Sequence, residues 1–405
     1  MVFIATETGF GGTNHNIGLR RMVRTGAPSF GANTPTGVTV GNERSVADGV
    51  EVGAGVCVLN RGFDSSRLNS TATIHCFGDN GALTTTAETP SGTAYHRYAG
   101  GMMQVGGELV VAGSFSASSS NAEVRYTRLY LERRRASDLV VVGSRVDHDI
   151  TLTVPSPSPV KDLTVAKLAQ DAQGRWLVAG HVTRQQDSAL TEAFVARFNA
   201  DFSRDTTFGT NGVVNLEFGG VGANPRAGVA SDLAVLDNGI IVVNGLGCIS
   251  ATCSTPGNTL TRQSLTKILL PTGAFVVTFS GDLTTESDAR LPQLEATRKP
   301  YIPGDGAGYV EVRPLADGRV EMSTRAVSAS GELGFGRFNQ FRLRYISDSN
   351  VAVPQSFANL VTTQDAGRTR HYMAWTYRPD NASTTDTDMV MGELQSLTIF
   401  ADGFE

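Results

Sequence analysis

Short apolar runs in this chain come in pairs joined by a tight turn, and the pair is written six times. The clearest copy runs through residues 163–169, turns at Asp171-Ala-Gln-Gly174, and resumes at Trp176-Leu-Val-Ala-Gly180. Others turn at Gly53-Ala-Gly55, Gly106-Gly107, Asp237-Asn-Gly239, Ala316-Asp-Gly318 and Asp365-Ala-Gly367. Asp-Gly and Asn-Gly supply the positive φ angles that tight hairpin turns require, so each copy predicts a β-hairpin. A third strand follows most hairpins and carries a basic residue, as at Phe194-Val-Ala-Arg197-Phe and Phe341-Arg-Leu-Arg344-Tyr. In the latter, aromatic and aliphatic side chains alternate with arginine, the period of a half-buried strand. A fourth strand is legible at Gly212-Val-Val-Asn-Leu216.

Four antiparallel strands per unit, recurring about every 50–80 residues, predict an all-β propeller. No convincing helix longer than two turns is found. The second strands fall near residues 2–6, 56–59, 109–113, 176–180, 240–243, 320–324 and 371–375. That gives seven blades, with six as the alternative, in one domain over residues 1–405. The first of these strands lacks its partner. Residues 397–403 read as the missing strand and turn, so pairing of the chain ends would close the ring and remove two exposed edges. The same segment also reads as a sorting tag.

Phe194-Val-Ala-Arg-Phe-Asn-Ala200, Asp205-Thr-Thr-Phe-Gly209 and Asn211-Gly-Val-Val214 resemble the delta-60 repeat, a propeller-like repeat of secreted bacterial proteins. The hairpin ending at Gly180 is similar to that repeat as well. The resemblance covers residues 162–214 closely and implies a propeller and export. It brings no catalytic residues.

Composition narrows the partners. Charged residues make up 18% of the 405 and net charge is −5, so no overall attraction to nucleic acid or anionic lipid is expected. No apolar stretch is long enough to span a membrane as a helix, and no signal peptide is visible at the start. Four cysteines fall as two local pairs. Cys57 and Cys76 mirror each other across a predicted hairpin, and Cys248 and Cys253 share one loop. Oxidised, they place the chain in the periplasm or outside the cell; reduced and buried thiols are the alternative.

Candidate chemistry is sparse. Nucleophile-elbow, zinc-helix, phosphate-loop and Cys-x-x-Cys motifs are all absent. Asp147-His148-Asp149 is the nearest approach to a metal cluster, with a solvated turn as the plainer reading. Asp386, Asp388 and Glu393 lack calcium-loop spacing and read as a polar loop. Arg133-Arg-Arg135, with Tyr126 and Tyr130 upstream, could meet an anionic glycan or a nucleic acid through charge and stacking, though charge guarding a strand edge predicts the same residues and fits the net charge better. Trp176 and Trp375 take equivalent second-strand positions and are expected in the core. Asp162, Asp232 and Glu311 each stand near the start of a first strand. They are the candidates for a channel carboxylate cluster, with Ca²⁺ as the cation such a cluster would take, or for an acid and base pair.

The leading expectation is a secreted or cell-surface scaffold, a monomer presenting loops to a glycan or protein, with no cofactor and no catalytic residues. The alternative is a propeller hydrolase or lyase using Asp162, Asp232 and Glu311.

Overall fold

A computed structural model describes the strands named below. With their side chains it describes residues 46–62, 70–92, 96–116, 127–150, 152, 160, 162–183, 191–218, 228–247, 266–276 and 327–330. Among the described residues the chain is all β, with no helix.

The first sheet holds β1 (Val2–Gly9), β2 (His15–Met22), β3 (Pro28–Phe30) and β4 (Thr36–Thr39), with β2 pairing all three others. The second is an antiparallel meander of β5 (Ser45–Val52), β6 (Gly55–Phe63), β7 (Ser70–Phe77) and β8 (Leu83–Glu88). The third repeats it with β9 (His96–Val105), β10 (Glu108–Ser116), β11 (Arg128–Arg135) and β12 (Val146–His148). The fourth does so with β13 (Val160–Gln170), β14 (Trp176–Arg184), β15 (Thr191–Phe198) and β16 (Val213–Asn215). The fifth contains β17 (Gly228–Val235), β18 (Ile241–Cys248), β19 (Thr261–Leu269) and β20 (Phe275–Thr285). In the sixth, β21 (Gln293–Thr297) precedes β22 (Ala307–Pro314), β23 (Val320–Val327) and β24 (Arg337–Phe341). A two-stranded pair, β25 (Tyr345–Ser347) and β26 (Asn350–Ala352), is followed by β27 (Pro354–Asp365), β28 (Arg368–Tyr377) and β29 (Asp388–Leu394).

All six hairpin phrases of the sequence are thus antiparallel strand pairs. One stands elsewhere in its sheet than its period suggests: β21 pairs the free side of β22, so Val320–Val327 lies third in order, not second. The chain divides into two compact units, residues 1–217 with 226–230, and 218–225 with 231–405. Residues 395–405, where the closing strand or tag is expected, lie outside the described residues.

Within the first unit the sheets pack face to face. One core cluster joins Leu59, Ile74 and Cys76 of the second sheet to Met102, Leu109 and Phe115 of the third. Another joins Val110, Leu129 and Leu131 of the third to Val165, Trp176 and Phe194 of the fourth. A middle strand is therefore covered on both sides, and β10 is buried along nearly its whole length. This is why Leu109-Val-Val-Ala is a continuous apolar run instead of an alternating one. The inner strands β5, β9 and β13 lie side by side. Glycine permits that approach: a Cβ on Gly101 would stand 2.6 Å from the Leu168 nitrogen, and one on Gly100 would stand 2.2 Å from Val165 Cγ1. In the second unit, Ala234, Leu236, Ile240, Val242 and Ile268 of the fifth sheet pack with Val327 of the sixth.

Candidate functional site

The inner strands β5, β9 and β13 each carry a bulge, an extra residue that re-aims the side chain after it. The pairing with the second strand slips between Val46 and Asp48 on β5, at Gly100 on β9, and between Val165 and Lys167 on β13. The residues just past the bulges are Asp48, Gly101 and Lys167. They sit on three adjacent strands and form one layer. Asp48 Oδ2 accepts the Met102 backbone N–H of β9 at 3.0 Å, while its Oδ1 accepts the Gly49 N–H at 2.9 Å. The Lys167 ammonium reaches Asp48 Oδ1 at 3.7 Å.

The second unit has its own version. Leu236 N–H bonds Ile240 O and Gly239 N–H bonds Leu236 O, matching Asp171 with Arg175 and Gly174 with Asp171 in the fourth sheet. Counting back from these identical turns puts Asp232 at the position of Lys167. Asp232 is buried, and its Oδ1 accepts the next N–H, Leu233, at 2.9 Å, the bond Asp48 makes to Gly49. Glu311 takes the same place on β22 when counted from the strand pairing, because Pro314 pairs Val320 with five residues between them, as Gln170 pairs Trp176. The Glu311 side chain lies outside the described residues.

Asp162 does not belong to this set. It stands five residues before Lys167, beside a second bulge and opposite Thr183, in the first unit, whereas Asp232 and Glu311 are in the second. Sequence reading missed Asp48 and Lys167. Aligning the hairpin copies on their turns, instead of on the first acid of each strand, is the signal that finds Lys167; the bulge that identifies Asp48 has no signature in composition.

The other candidates resolve into internal pairings. Arg145 holds Asp147 through two bonds of 2.7 and 3.0 Å, Arg128 meets Asp149 at 3.2 Å, and His148 Nε2 donates to Phe202 O at 2.8 Å. The three neighbours thus turn to three different partners. No group of three or more metal-ligating side chains gathers among the described residues. In the Arg133–Arg135 run, Arg133 meets Glu108, Arg134 meets Glu132 and Arg135 meets Asp138. Trp176 is fully buried and meets Phe202 edge-on at 6.0 Å. The Trp375 side chain is outside the described residues, as are those of Cys248 and Cys253. Cys57 and Cys76 face each other on β6 and β7 and are disulfide-bonded.

Two buried charge networks complete the picture. On β11, the Glu132 carboxylate is 0% exposed and accepts from Arg134 Nε at 2.7 Å, the Ser91 N–H at 2.8 Å, the Ser91 hydroxyl, and Thr89 Oγ1 at 3.3 Å. Arg134 also donates to Leu139 O and Glu88 O. Thr89 Oγ1 lies 3.2 Å from the Tyr130 hydroxyl, and burial pushes that phenol well above its ordinary range. In the fourth sheet, Arg197 Nε donates to Asp205 Oδ2 at 2.8 Å and its guanidinium lies 4.5 Å over Phe208. Burial alone would raise the Asp205 carboxyl; hydrogen bonds from Thr207 and the Arg197 charge outweigh it and hold the pKa below the usual value. These are the residues that carry the delta-60 resemblance, and here they lock one loop to its own sheet.

No protein-family model matches the chain, and no curated protein matches it by sequence. Among solved structures it is similar to a sialidase of Trypanosoma rangeli in complex with sialic acid, at 10% identity and TM-score 0.48, over 96% of this chain and 58% of that one. It is similar also to an alpha-L-arabinanase of Penicillium chrysogenum complexed with arabinobiose, at 13% identity and TM-score 0.41, over 82% and 87%. A Bombyx mori GH32 beta-fructofuranosidase in complex with sucrose shows 12% identity and TM-score 0.36, over 86% and 78%. The chain thus spans a little over half of the sialidase. The fold assignment rests on the strand order and register given above.

Proposed function

We propose that this chain is a secreted or cell-surface β-propeller scaffold that presents its loops to a glycan or a protein and has no catalysis of its own. The proposed ring has seven blades, closed by residues 397–403 beside β1. The observation that supports the binding-scaffold reading is the use made of the inner-strand acids. Asp48 spends both oxygens on backbone N–H groups of β5 and β9, and Asp232 makes the same local bond. Each carboxylate is thus engaged in holding backbone, and Asp48 ties two neighbouring strands together, which is a structural use of the acid. The disulfide between Cys57 and Cys76 supports an oxidising compartment.

A thermal-unfolding series with Ca²⁺, Mg²⁺ and chelator, set beside a glycan-array screen, tests this reading. The scaffold reading expects no shift with either cation and retention on one glycan or protein class. Stabilisation of about 2.7 kcal/mol at a hundredfold excess over the dissociation constant, lost in Asp232→Ala, would overturn it.

One observation favours the hydrolase reading: Asp232 and Glu311 take the same place relative to their hairpin turns in the same unit, on the first strand of the fifth sheet and the second of the sixth. Paired carboxylates are what glycoside hydrolysis needs. Turnover of an aryl glycoside abolished by both Asp232→Asn and Glu311→Gln would establish it. Asp162→Asn should leave such turnover intact.

A further inference from the structure

Most arginines described with their side chains are ion-paired. Arg97 meets Glu88, Arg145 meets Asp147, Arg175 meets Asp171, and each member of the 133–135 run has its own carboxylate. Arg61, half-buried on β6, is different. Among the described residues no carboxylate stands within ion-pair distance of it. Its Nε donates to Ala99 O of β9 at 2.6 Å, and its guanidinium lies 4.2 Å over the Tyr98 ring. The backbone bond and the stack fix the plane of the group. Its two terminal amino groups are left over, and so is its charge.

The third sheet shows what the position needs. Counted from the bulges, Ser114 on β10 is the counterpart of Arg61, since Arg61 pairs Ser45 beside Val46 and Ser114 pairs Tyr98 beside Ala99. Ser114 Oγ donates to Leu163 O on β13, the inner strand of the next sheet. Arg61 makes the same kind of tie to β9. One donor suffices for that tie, and a hydroxyl supplies it without a charge. A half-buried guanidinium fixed at this place with no counter-ion is a preorganised fork, and its geometry matches a carboxylate through two parallel N–H···O bonds.

We infer that Arg61 is an anion-recognition residue near the start of the inner strands, and that its ligand is the carboxylate of an acidic sugar, a hexuronate within a glycan. The inference rests on the glycan-binding form of the scaffold reading. The chain carries a net charge of −5 and the 133–135 run spends its cations internally, so there is no broad positive field to hold a polyanion. A single carboxylate held at short range is what one fixed fork fits. Half-buried Tyr98 sets an aromatic ring beside the fork, apolar surface of the kind that lines a small-molecule site around its few polar groups. A pyranose ring uses such surface, whereas an acidic side chain on a flexible stem does not need it.

Titration calorimetry of the whole chain with oligomers of galacturonate, glucuronate and mannuronate, each beside its methyl ester, tests this. The ester keeps the sugar and removes only the charge. At least one acid should bind about tenfold or more tightly than its ester. Arg61→Gln should abolish that preference, and Arg61→Lys, which keeps the charge without the fork, should lose most of it. Equal affinity for acid and ester, no binding of any of the acids, or a preference unchanged in Arg61→Gln would overturn the inference. A glutamate-rich peptide bound as tightly as the best acid would also overturn it, by moving the ligand to a protein. In each case retention of a neutral glycan or a protein leaves the scaffold reading standing, and binding of neither removes both. Should Arg61→Gln not fold, acid against ester on the wild-type chain decides.

Discussion

The third and fourth sheets each bury an arginine against a carboxylate on the third strand, and they do it differently. Arg197 finds Asp205 eight residues away, and the Thr207 bonds to the same carboxylate come from the same loop. Glu132 and Arg134 are neighbours on β11, and besides the nearby Leu139 carbonyl their partners, Thr89, Ser91 and the Glu88 carbonyl, come from the end of the preceding sheet and the residues just after it, more than forty residues earlier. The local lock stabilises one sheet. The non-local one ties two sheets together, so its loss should be felt across the unit.

The largest expected effect follows from that difference. Glu132→Ala leaves Arg134 charged and buried at 4% exposure, and should cost about 3–5 kcal/mol in denaturant unfolding. Replacing Glu132 and Arg134 together by leucine and methionine should recover most of this, since a buried pair exchanged for apolar groups is often near neutral. If the double variant is no better than the single one, the bonds to Thr89 and Ser91 dominate, and the network is a hydrogen-bond clamp in place of an ion pair.

Next in size is the disulfide. Cys57→Ser with Cys76→Ser opens a loop of nineteen residues and should lower stability by roughly 3 kcal/mol, read as a shift in denaturation midpoint. Gly180→Ala tests the tightness of inner packing in the fourth sheet. The added methyl would stand 2.2 Å from Thr164 O and 3.0 Å from Phe194, so about 1–3 kcal/mol should be lost. The smallest effect is set by acid. The Asp205 pKa is depressed in the folded chain, so its contribution is complete above the ordinary carboxylate value and disappears as pH falls through the folded one. Asp205→Asn should flatten stability against pH below the ordinary carboxylate value, near about 4. A wild-type curve already flat there would make the lock a packing device.

The comparison also shows how far the sequence could be read. The hairpins were legible because each is written locally, as an apolar run, a Gly-bearing turn and a second run. Four strands per sheet followed from the basic third strand and, in the fourth sheet, from Gly212-Val-Val. The Arg197–Asp205 lock was visible as a motif for the same reason: its partners are close in the chain. Asp48, Lys167 and the Glu132 network were not legible, because bulges shift register by one residue without a compositional mark, and partners from neighbouring sheets have no fixed spacing. Asp162 was grouped with Asp232 and Glu311 on nearness to the strand start. The turn, not the start, sets the register, and it assigns that position to Lys167.

The central claim is that the inner-strand acids are scaffold. The most direct measurement is the unfolding free energy of Asp232→Ala beside that of Asp48→Ala. Asp232→Ala removes the acceptor of the buried Leu233 N–H and Asp48→Ala that of the partly buried Met102 N–H, and each should destabilise by about 1–3 kcal/mol. A residue kept for chemistry at the expense of stability behaves in the opposite way, and its removal commonly leaves a protein as stable or more so. An Asp232→Ala protein that unfolds at or above the wild-type midpoint while Asp48→Ala falls would contradict the scaffold account and move the site to Asp232.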